Sequence, residues 1–379
     1  MAGNAALDFF LTAPLIQAFD TAIVRRGIPW TLWDELLEVG PEKPAGNQFI
    51  WKKFKGERKG ARFVNYGSPG IAVETPGSEF DSGTTWSARE SYLFDPQERM
   101  MLIAAPSIVQ DRVRREHLKR LADRKEKLLT TRKNLVASAY LTGKVLVCHT
   151  PQGGIIVNST ASTYNGVSPT SVTFGSQSLK VGDTIPGTSS TVPDFSTSTT
   201  DIPKFFREVT KGFVRTTNYM PKKIAYGENI PGYMGETNAS MQAYWSRNQA
   251  YGNAYQSTGE IPTMSLGYDW KRGYLQYFID ESNATADTTA TWLDADTLII
   301  TPEFDNGWYE AIEGGQMVPT GILLGPNGDA VAQSGQIARW GMYNYAYPDV
   351  VTGNIIEVAG DNFGAFIKNG SAHWIIKVH

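Results

Sequence analysis

The side chains of this 379-residue chain that could carry out chemistry are few: four histidines, one cysteine and some closely spaced carboxylates. Cys148 adjoins His149, but a nucleophile and its base must meet in space, and adjacent residues on a strand point to opposite faces. That pair reads as structural. A single cysteine excludes an internal disulfide and a cysteine-based zinc site. His117 stands among arginines, and no His-Glu-x-x-His spacing occurs. In Leu141-Thr142-Gly143-Lys144-Val145, a valine occupies the place where a phosphate-binding loop needs a hydroxyl for Mg²⁺. There is no dinucleotide-binding glycine pattern after a strand and no Gly-x-Ser-x-Gly elbow. Asp294/Asp296 and Glu303/Asp305 border an apolar run at Leu298 to Ile300. They have the composition of a glycosidase pair or a calcium site, although carboxylates at strand ends are ordinarily just solvated. The expectation is no enzyme, no metal and no cofactor.

Composition narrows the class. Hydrophobic residues make up 41% and charged residues 19%, which suits a folded chain and excludes a disordered one. The net charge of −3 excludes nucleic-acid binding by bulk electrostatics. Ten Trp and 17 Tyr fit sugar recognition and protein interfaces equally. The first residues lack the basic start of a secretory signal, and Asp8 interrupts their apolar run. No stretch approaches the ~20 apolar residues of a membrane span. The sequons at Asn158, Asn238, Asn283 and Asn369 therefore read as chance.

With chemistry scarce, the elements themselves become informative. The spacing predicts one long helix from Ser107 to Gly143, free of Gly and Pro inside. Ser107 and Gln110 have the spacing of a capping box, and Gly143 suits the left-handed exit. Val113, Leu118, Leu121, Leu128, Leu129, Leu135, Val136 and Ala139 recur at helical steps as one apolar stripe. Such a helix would be roughly 50 Å long. Its other side is basic: Arg112, Arg114, Arg115, Lys119, Arg120, Arg124, Lys125, Lys127, Arg132 and Lys133, against four acids. It reads as a beam, with one side on a sheet and the other toward neighbouring molecules or a polyanion.

Two thin pieces precede the beam. Residues 1–45 hold short apolar helical patches broken by prolines, with Phe10, Phe19, Trp30 and Trp33 among their large side chains. They cannot form a core alone and are expected to dock elsewhere. Residues 46–94 read as an extended hairpin that turns at Gly67-Ser68-Pro69-Gly70. Lys52, Lys53, Lys55, Arg58, Lys59 and Arg62 precede the turn, while Glu74, Glu79, Asp81 and Glu90 follow it. A long hairpin with so few bulky apolar residues is not stable alone. It folds onto its own domain or lies across another subunit.

After the helix come a tight hairpin at Lys144 to Val157, then a Ser/Thr/Gly-rich stretch read as short strands and a long loop. A helix capped by Asp201 runs through Lys211. Strands are expected at 222–226, 274–279, 297–300, 317–319, 322–324, 340–347, 354–358 and 373–378, with a helical region over 232–255.

This order of parts resembles the major capsid proteins of tailed bacteriophages, most of all the lambda-type capsid protein E group. The resemblance is carried by Gly67-Ser68-Pro69-Gly70-Ile71-Ala72-Val73 and by Arg89-Glu90-Ser91-Tyr92-Leu93-Phe94-Asp95. It continues through Arg115-Glu116-His117-Leu118 to Ala139-Tyr140-Leu141-Thr142-Gly143-Lys144-Val145, Ile322-Leu323-Leu324-Gly325-Pro326 and Tyr347-Pro348-Asp349. It implies an α+β chain with the HK-ninety-seven-type fold. Residues 1–45 would be the N-arm, and 46–94 the E-loop reaching between subunits. Residues 95–202 would be the peripheral domain, holding the spine helix 107–143 and the Ser/Thr-rich β segment. Residues 203–325 would be the axial domain, with 326–379 returning to the peripheral domain.

The implied function is a structural shell of hexamers and pentamers around double-stranded DNA, found in the virion and assembled in the host cytoplasm. The implied partners are further copies, a separate scaffolding protein, a portal protein, a decoration protein and, non-specifically, packaged DNA. No membrane is involved. On the spine helix, Arg112, Arg115, Lys119, Arg120 and Arg124 would meet DNA phosphates or the acidic arm of a neighbouring hairpin, with the latter favoured. An encapsulin-like compartment, a β-rich tail or adhesion protein, and a glycoside hydrolase using Glu303 and Asp305 are the competing readings.

Overall fold

The computed structural model describes residues 36–40, 43–44, 46, 48–54, 78–94, 97–98, 101, 106–150, 153–156, 168, 170–247, 249–262, 264–273, 276–278, 289–291, 293–303, 307–319, 322–324, 330–333, 335–348 and 354–379. In chain order the elements are β1 (Gln48–Phe54), β2 (Ser78–Thr84), β3 (Trp86–Phe94), α1 (Ser107–Thr142), β4 (Lys144–Thr150), β5 (Gly153–Ile156), β6 (Thr170–Thr173) and β7 (Gln177–Leu179). Next come α2 (Ile202–Thr217), β8 (Lys223–Tyr226), α3 (Ala239–Arg247), α4 (Gln249–Thr258), β9 (Asp269–Arg272), β10 (Gln276–Phe278), β11 (Thr289–Thr291) and β12 (Thr297–Thr301). The rest is β: β13 (Tyr309–Glu313), β14 (Gly315–Pro319), β15 (Ile322–Leu324), β16 (Ala330–Gln333), β17 (Gln336–Trp340), β18 (Met342–Pro348), β19 (Ile355–Ile367) and β20 (Trp374–Lys377). The chain is α+β, as expected.

Contacts group these elements into two units. One is 1–49, 84–136 and 311–365; the other is 50–83, 137–310 and 366–379. The division differs from the expected domains: α1 crosses between the units at 136/137, so the end of the helix and the Ser/Thr-rich β segment fall in the second unit, as does 50–83 of the expected hairpin. Three further differences have a pairing reason. β3 belongs with the first unit because all nine of its residues pair with β19. The final stretch belongs with the second because β20 pairs with β12 and β7. The boundary near 325 moves to 310/311 because β13 joins β19 in one sheet.

In the first unit, β19 is the central strand, flanked by β3, β18 and β13. It is antiparallel to β3 and β18 and buried along nearly its whole length. Alternation sends Glu357, Ala359, Asp361 and Phe363 to one face, and Ile356, Val358 and Gly360 to the other. On the second face, Tyr343, Tyr345 and Tyr347 of β18 form a ladder with ring centroids 6.0 and 6.1 Å apart. Gly360 makes room for it, since a Cβ there would run into the Tyr343 ring. β14–β17 and β15–β16 are separate two-stranded pairs, and β1–β2, most of which falls in the second unit, is another.

In the second unit, the sheet order is β7-β20-β12-β8-β9. β12 is fully buried at its centre, the place that its unbroken apolar run predicts. α2 lays Phe205, Phe206, Val209 and Phe213 into the core. Phe206 meets Trp270 edge-on at 5.4 Å, and Phe213 meets Trp374 at 5.0 Å. Asp201 caps α2 by accepting from the Lys204 amide at 2.9 Å, and the helix runs to Thr217 rather than Lys211. The reason is that Gly212 faces the backbone carbonyl of Pro186, where a Cβ would collide. A glycine that reads as a breaker is thus a packing residue.

The Gly360 contact makes a prediction. Alanine in place of a strand glycine usually stabilises by reducing the freedom of the unfolded chain. Here Gly360→Ala should instead destabilise by about 1–3 kcal/mol through overpacking. Urea unfolding at neutral pH would read this, and Tyr343→Leu should recover part of the loss.

Candidate functional site

The described residues hold a charged seam rather than a catalytic constellation. α1 begins at Ser107, with the Pro106 carbonyl accepting from the Gln110 amide at 3.1 Å. Pro106, not Ser107, therefore stands at the cap. The helix ends at Gly143, which adopts a left-handed φ of +68°. Its buried side is Val113, His117, Leu121, Arg124, Leu128, Arg132 and Leu135. These follow at steps of three and four residues, a single stripe. Three of its seven members are cationic or titratable.

Each of those three has a partner on β19. Arg124 reaches the Glu357 carboxylate at 2.8 Å, and His117 Nε2 lies 3.4 Å from the same oxygen. The other Glu357 oxygen accepts from Asn344 Nδ2 at 2.7 Å. Arg132 binds Asp361 with two nitrogens, at 2.5 and 2.6 Å, and Glu313 at 2.8 Å. Between these polar pairs, Leu121 and Leu128 pack on Ala359. The Arg132 guanidinium also lies 4.6 Å from the centre of the Phe363 ring. The Glu357–Ala359–Asp361–Phe363 face of the strand thus matches the helix stripe residue by residue.

β3 extends the match at the half-exposed edge. Tyr92 donates to Glu98 at 2.6 Å, and Arg120 reaches Glu98 at 2.8 Å as well as the Tyr92 hydroxyl. Burial and the neighbouring Glu98 push the Tyr92 hydroxyl up to about 12. Glu98 is held below the ordinary carboxylate range: burial opposes this, but hydrogen bonds from Tyr92 and Arg120 prevail. Burial works against charge on Arg132, yet Asp361 and Glu313 outweigh it and hold the guanidinium above its usual value. His117 goes the other way, because burial and the positive Arg124 and Arg120 lower its pKa despite Glu357.

The residues singled out from the sequence separate into groups. Arg112, Arg115 and Lys119 are exposed, Arg120 is half-buried on Glu98, and Arg124 is buried on Glu357. Arg124 is therefore no part of an outward basic face. It belongs to the seam, as does Arg132, because β19 places a carboxylate opposite each. Leu118 leaves the apolar stripe and is 44% exposed, since His117 takes the buried position beside it. Lys52 and Lys53 lie on β1, and Glu79 and Asp81 on β2. Lys55, Arg58, Lys59, Arg62 and Glu74 lie outside the described residues, as do Phe10, Phe19, Trp30 and Trp33.

The candidate chemistry of the second unit dissolves into structure. Asp294 accepts from Lys377 at 2.8 Å, and Asp296 accepts from Asn229 and Tyr233, each at 2.9 Å. Asp305 lies outside the described residues. No group of three or more metal-ligating side chains occurs among the described residues. His373 is buried, stacked 5.8 Å from Trp308, and its pKa falls to about 3 through burial. The Asn238 side chain is buried and bonded to the Met241 amide and the Thr200 carbonyl, which closes that sequon. Among the described residues, no helix is long and apolar enough to cross a membrane.

No protein-family model matches the chain, and no curated protein matches it. Among solved structures, the chain is similar to a phage-related protein from Bordetella bronchiseptica, with 9% identity, 97% of each chain covered and a TM-score of 0.43. It is also similar to the bacteriophage PhiM1 mature capsid, with 10% identity, 94% of this chain and 89% of that one covered, and a TM-score of 0.42. A third is the virus-like particle from Pyrococcus furiosus, with 8% identity, 95% and 94% covered, and a TM-score of 0.37.

The seam makes two predictions. Arg132→Met strands the buried Asp361 carboxylate and should cost about 3–5 kcal/mol. Adding Asp361→Asn should recover more than half of that loss, measured by urea unfolding. The second concerns acid. A histidine whose folded pKa lies below its unfolded value of about 6.5 contributes stability above that pH and loses it as pH falls. The melting temperature should therefore drop as the pH falls below about 6.5. His117→Gln should make that drop shallower.

Proposed function

We propose that this chain is the major capsid protein of a tailed bacteriophage, assembling as hexamers and pentamers into an icosahedral shell around double-stranded DNA. The observation that carries the reading is a 36-residue helix clamped on one side to a sheet, with its other side left outward. Two-stranded ribbons too thin to be stable alone accompany it. A stiff beam accompanied by ribbons that need further support suits a shell subunit, because its contacts are heterologous and close into rings. Many modest contacts made at once then give high avidity. The order of sequence motifs supports the same reading.

In this reading, residues 1–45 act as an N-arm with Phe10, Phe19, Trp30 and Trp33 as docking side chains. Residues 46–94 act as an E-loop whose basic arm (Lys52, Lys53, Lys55, Arg58, Lys59, Arg62) and acidic arm (Glu74, Glu79, Asp81) meet neighbouring copies. The role is structural, without catalysis. A separate scaffolding protein shapes the shell in the host cytoplasm, a portal protein occupies one vertex, and a decoration protein reinforces the surface. Packaged DNA meets the inner wall through phosphates, without sequence preference.

Replacing residues 55–77 by a short Gly-Ser linker tests the proposal. After co-expression with the cognate scaffold, electron microscopy should show shells for the parent and none for the variant. Circular dichroism of the variant should still report a folded subunit. A parent that stays monomeric throughout, or a variant that still closes shells, would sink the reading.

A further inference from the structure

The outward side of α1, near its start, combines two properties that a merely solvated helix does not need together. Ile108 is 82% exposed and Leu118 is 44% exposed. Between and beside them stand Arg112, Arg115 and Lys119, all exposed and without an ion-pair partner among the described residues. Positions 108, 112, 115 and 119 follow at helical steps and share one face, with Leu118 on its border. Asp111 and Glu116 are the exposed acids beside this face, so the three cations outnumber them. The contrast with the other side of the same helix is sharp, since Arg120, Arg124 and Arg132 each hold a carboxylate there.

A surface for nucleic acid needs cations to neutralise phosphates, and aliphatic side chains add nothing to that. A single exposed aliphatic residue would call for no explanation. Two of them framing three cations that lack an ion-pair partner among the described residues have the layout of a helix-pairing surface, where apolar contacts give affinity and flanking charges choose the partner. Ile108 and Leu118 are ten residues apart, about 15 Å along the axis, or nearly three turns. That length matches the apolar stripe of a short amphipathic helix.

We propose that this face binds an α-helix of a partner protein whose apolar stripe is flanked by carboxylates. The proposal rests on the exposed face alone and stands whether or not the chain builds a shell. The stripe seats on Ile108 and Leu118, while the carboxylates pair with Arg112, Arg115 and Lys119.

Three fluorescent probes would test this on the full chain at physiological salt. They are a designed helical peptide with a leucine stripe flanked by glutamates, a scrambled peptide of the same composition without a stripe, and a short DNA duplex. The striped peptide should bind at least about tenfold more tightly than the scrambled one by anisotropy. Ile108→Ser/Leu118→Ser and Arg112→Glu/Arg115→Glu/Lys119→Glu should each weaken it by a similar factor. A lysine-flanked version of the striped peptide should bind the charge-reversed variant in preference to the parent. All these side chains are exposed, so the urea midpoint of each variant should match that of the parent. Equal binding of striped and scrambled peptides would overturn the proposal. So would indifference to the Ile108/Leu118 change, or a preference for the duplex that only charge reversal removes.

Discussion

A charge placed in a protein interior must find its counter-charge there, and this requirement governs the first unit. α1 carries Arg124 and Arg132 on the side that faces the sheet. Removing a guanidinium from water costs several kcal/mol, returned only when geometry and hydrogen bonding are good. β19 meets the requirement with Glu357 and Asp361, whose spacing of four along a strand places both on one face. Sliding the helix by a turn, or the strand by a residue, would leave buried charges facing aliphatic side chains. The seam therefore does for register what an all-apolar interface does poorly. It specifies one alignment and penalises the neighbouring ones.

Consequences spread outward from that alignment. With Glu357 fixed, Asn344 on β18 has a partner, and the tyrosine ladder of β18 falls on the opposite face. With β19 fixed, β3 pairs along its whole length and brings Tyr92 beneath Arg120 and Arg124. The outer residues of the helix are then left over by geometry rather than by composition. Arg112 and Arg124 are alike as residues and opposite in environment, because twelve residues of helical rotation separate them.

The sequence shows some of this and hides the rest, for physical reasons. The helix was legible because 36 residues pass without Gly or Pro between a proline entry and a glycine exit. Its buried face was not, because three of the seven stripe positions are His or Arg, and periodicity of apolar residues is blind to them. Their carboxylate partners lie 229 and 233 residues away. Nothing local in the sequence announces such a pairing. β19 itself reads as ending near Val358, because Gly360, Asp361 and Asn362 look like a turn. They continue the strand because Gly360 seats Tyr343 and Asp361 seats Arg132. Asp201 as a helix cap and the apolar run of β12 were both readable, since each depends on neighbours in sequence.

The path of the backbone has its own consequence. The chain passes from one unit to the other at 49/50, 83/84, 136/137, 310/311 and 365/366, and α1 and β19 each run through such a point. Neither unit can be cut out as a single uninterrupted fragment. Genetic exchange with a distant relative would therefore seldom transplant one unit by itself. A single crossover anywhere between residues 132 and 357 would split both the Arg124–Glu357 and the Arg132–Asp361 couples. A chain woven in this way is expected to be inherited as one block, its halves travelling together.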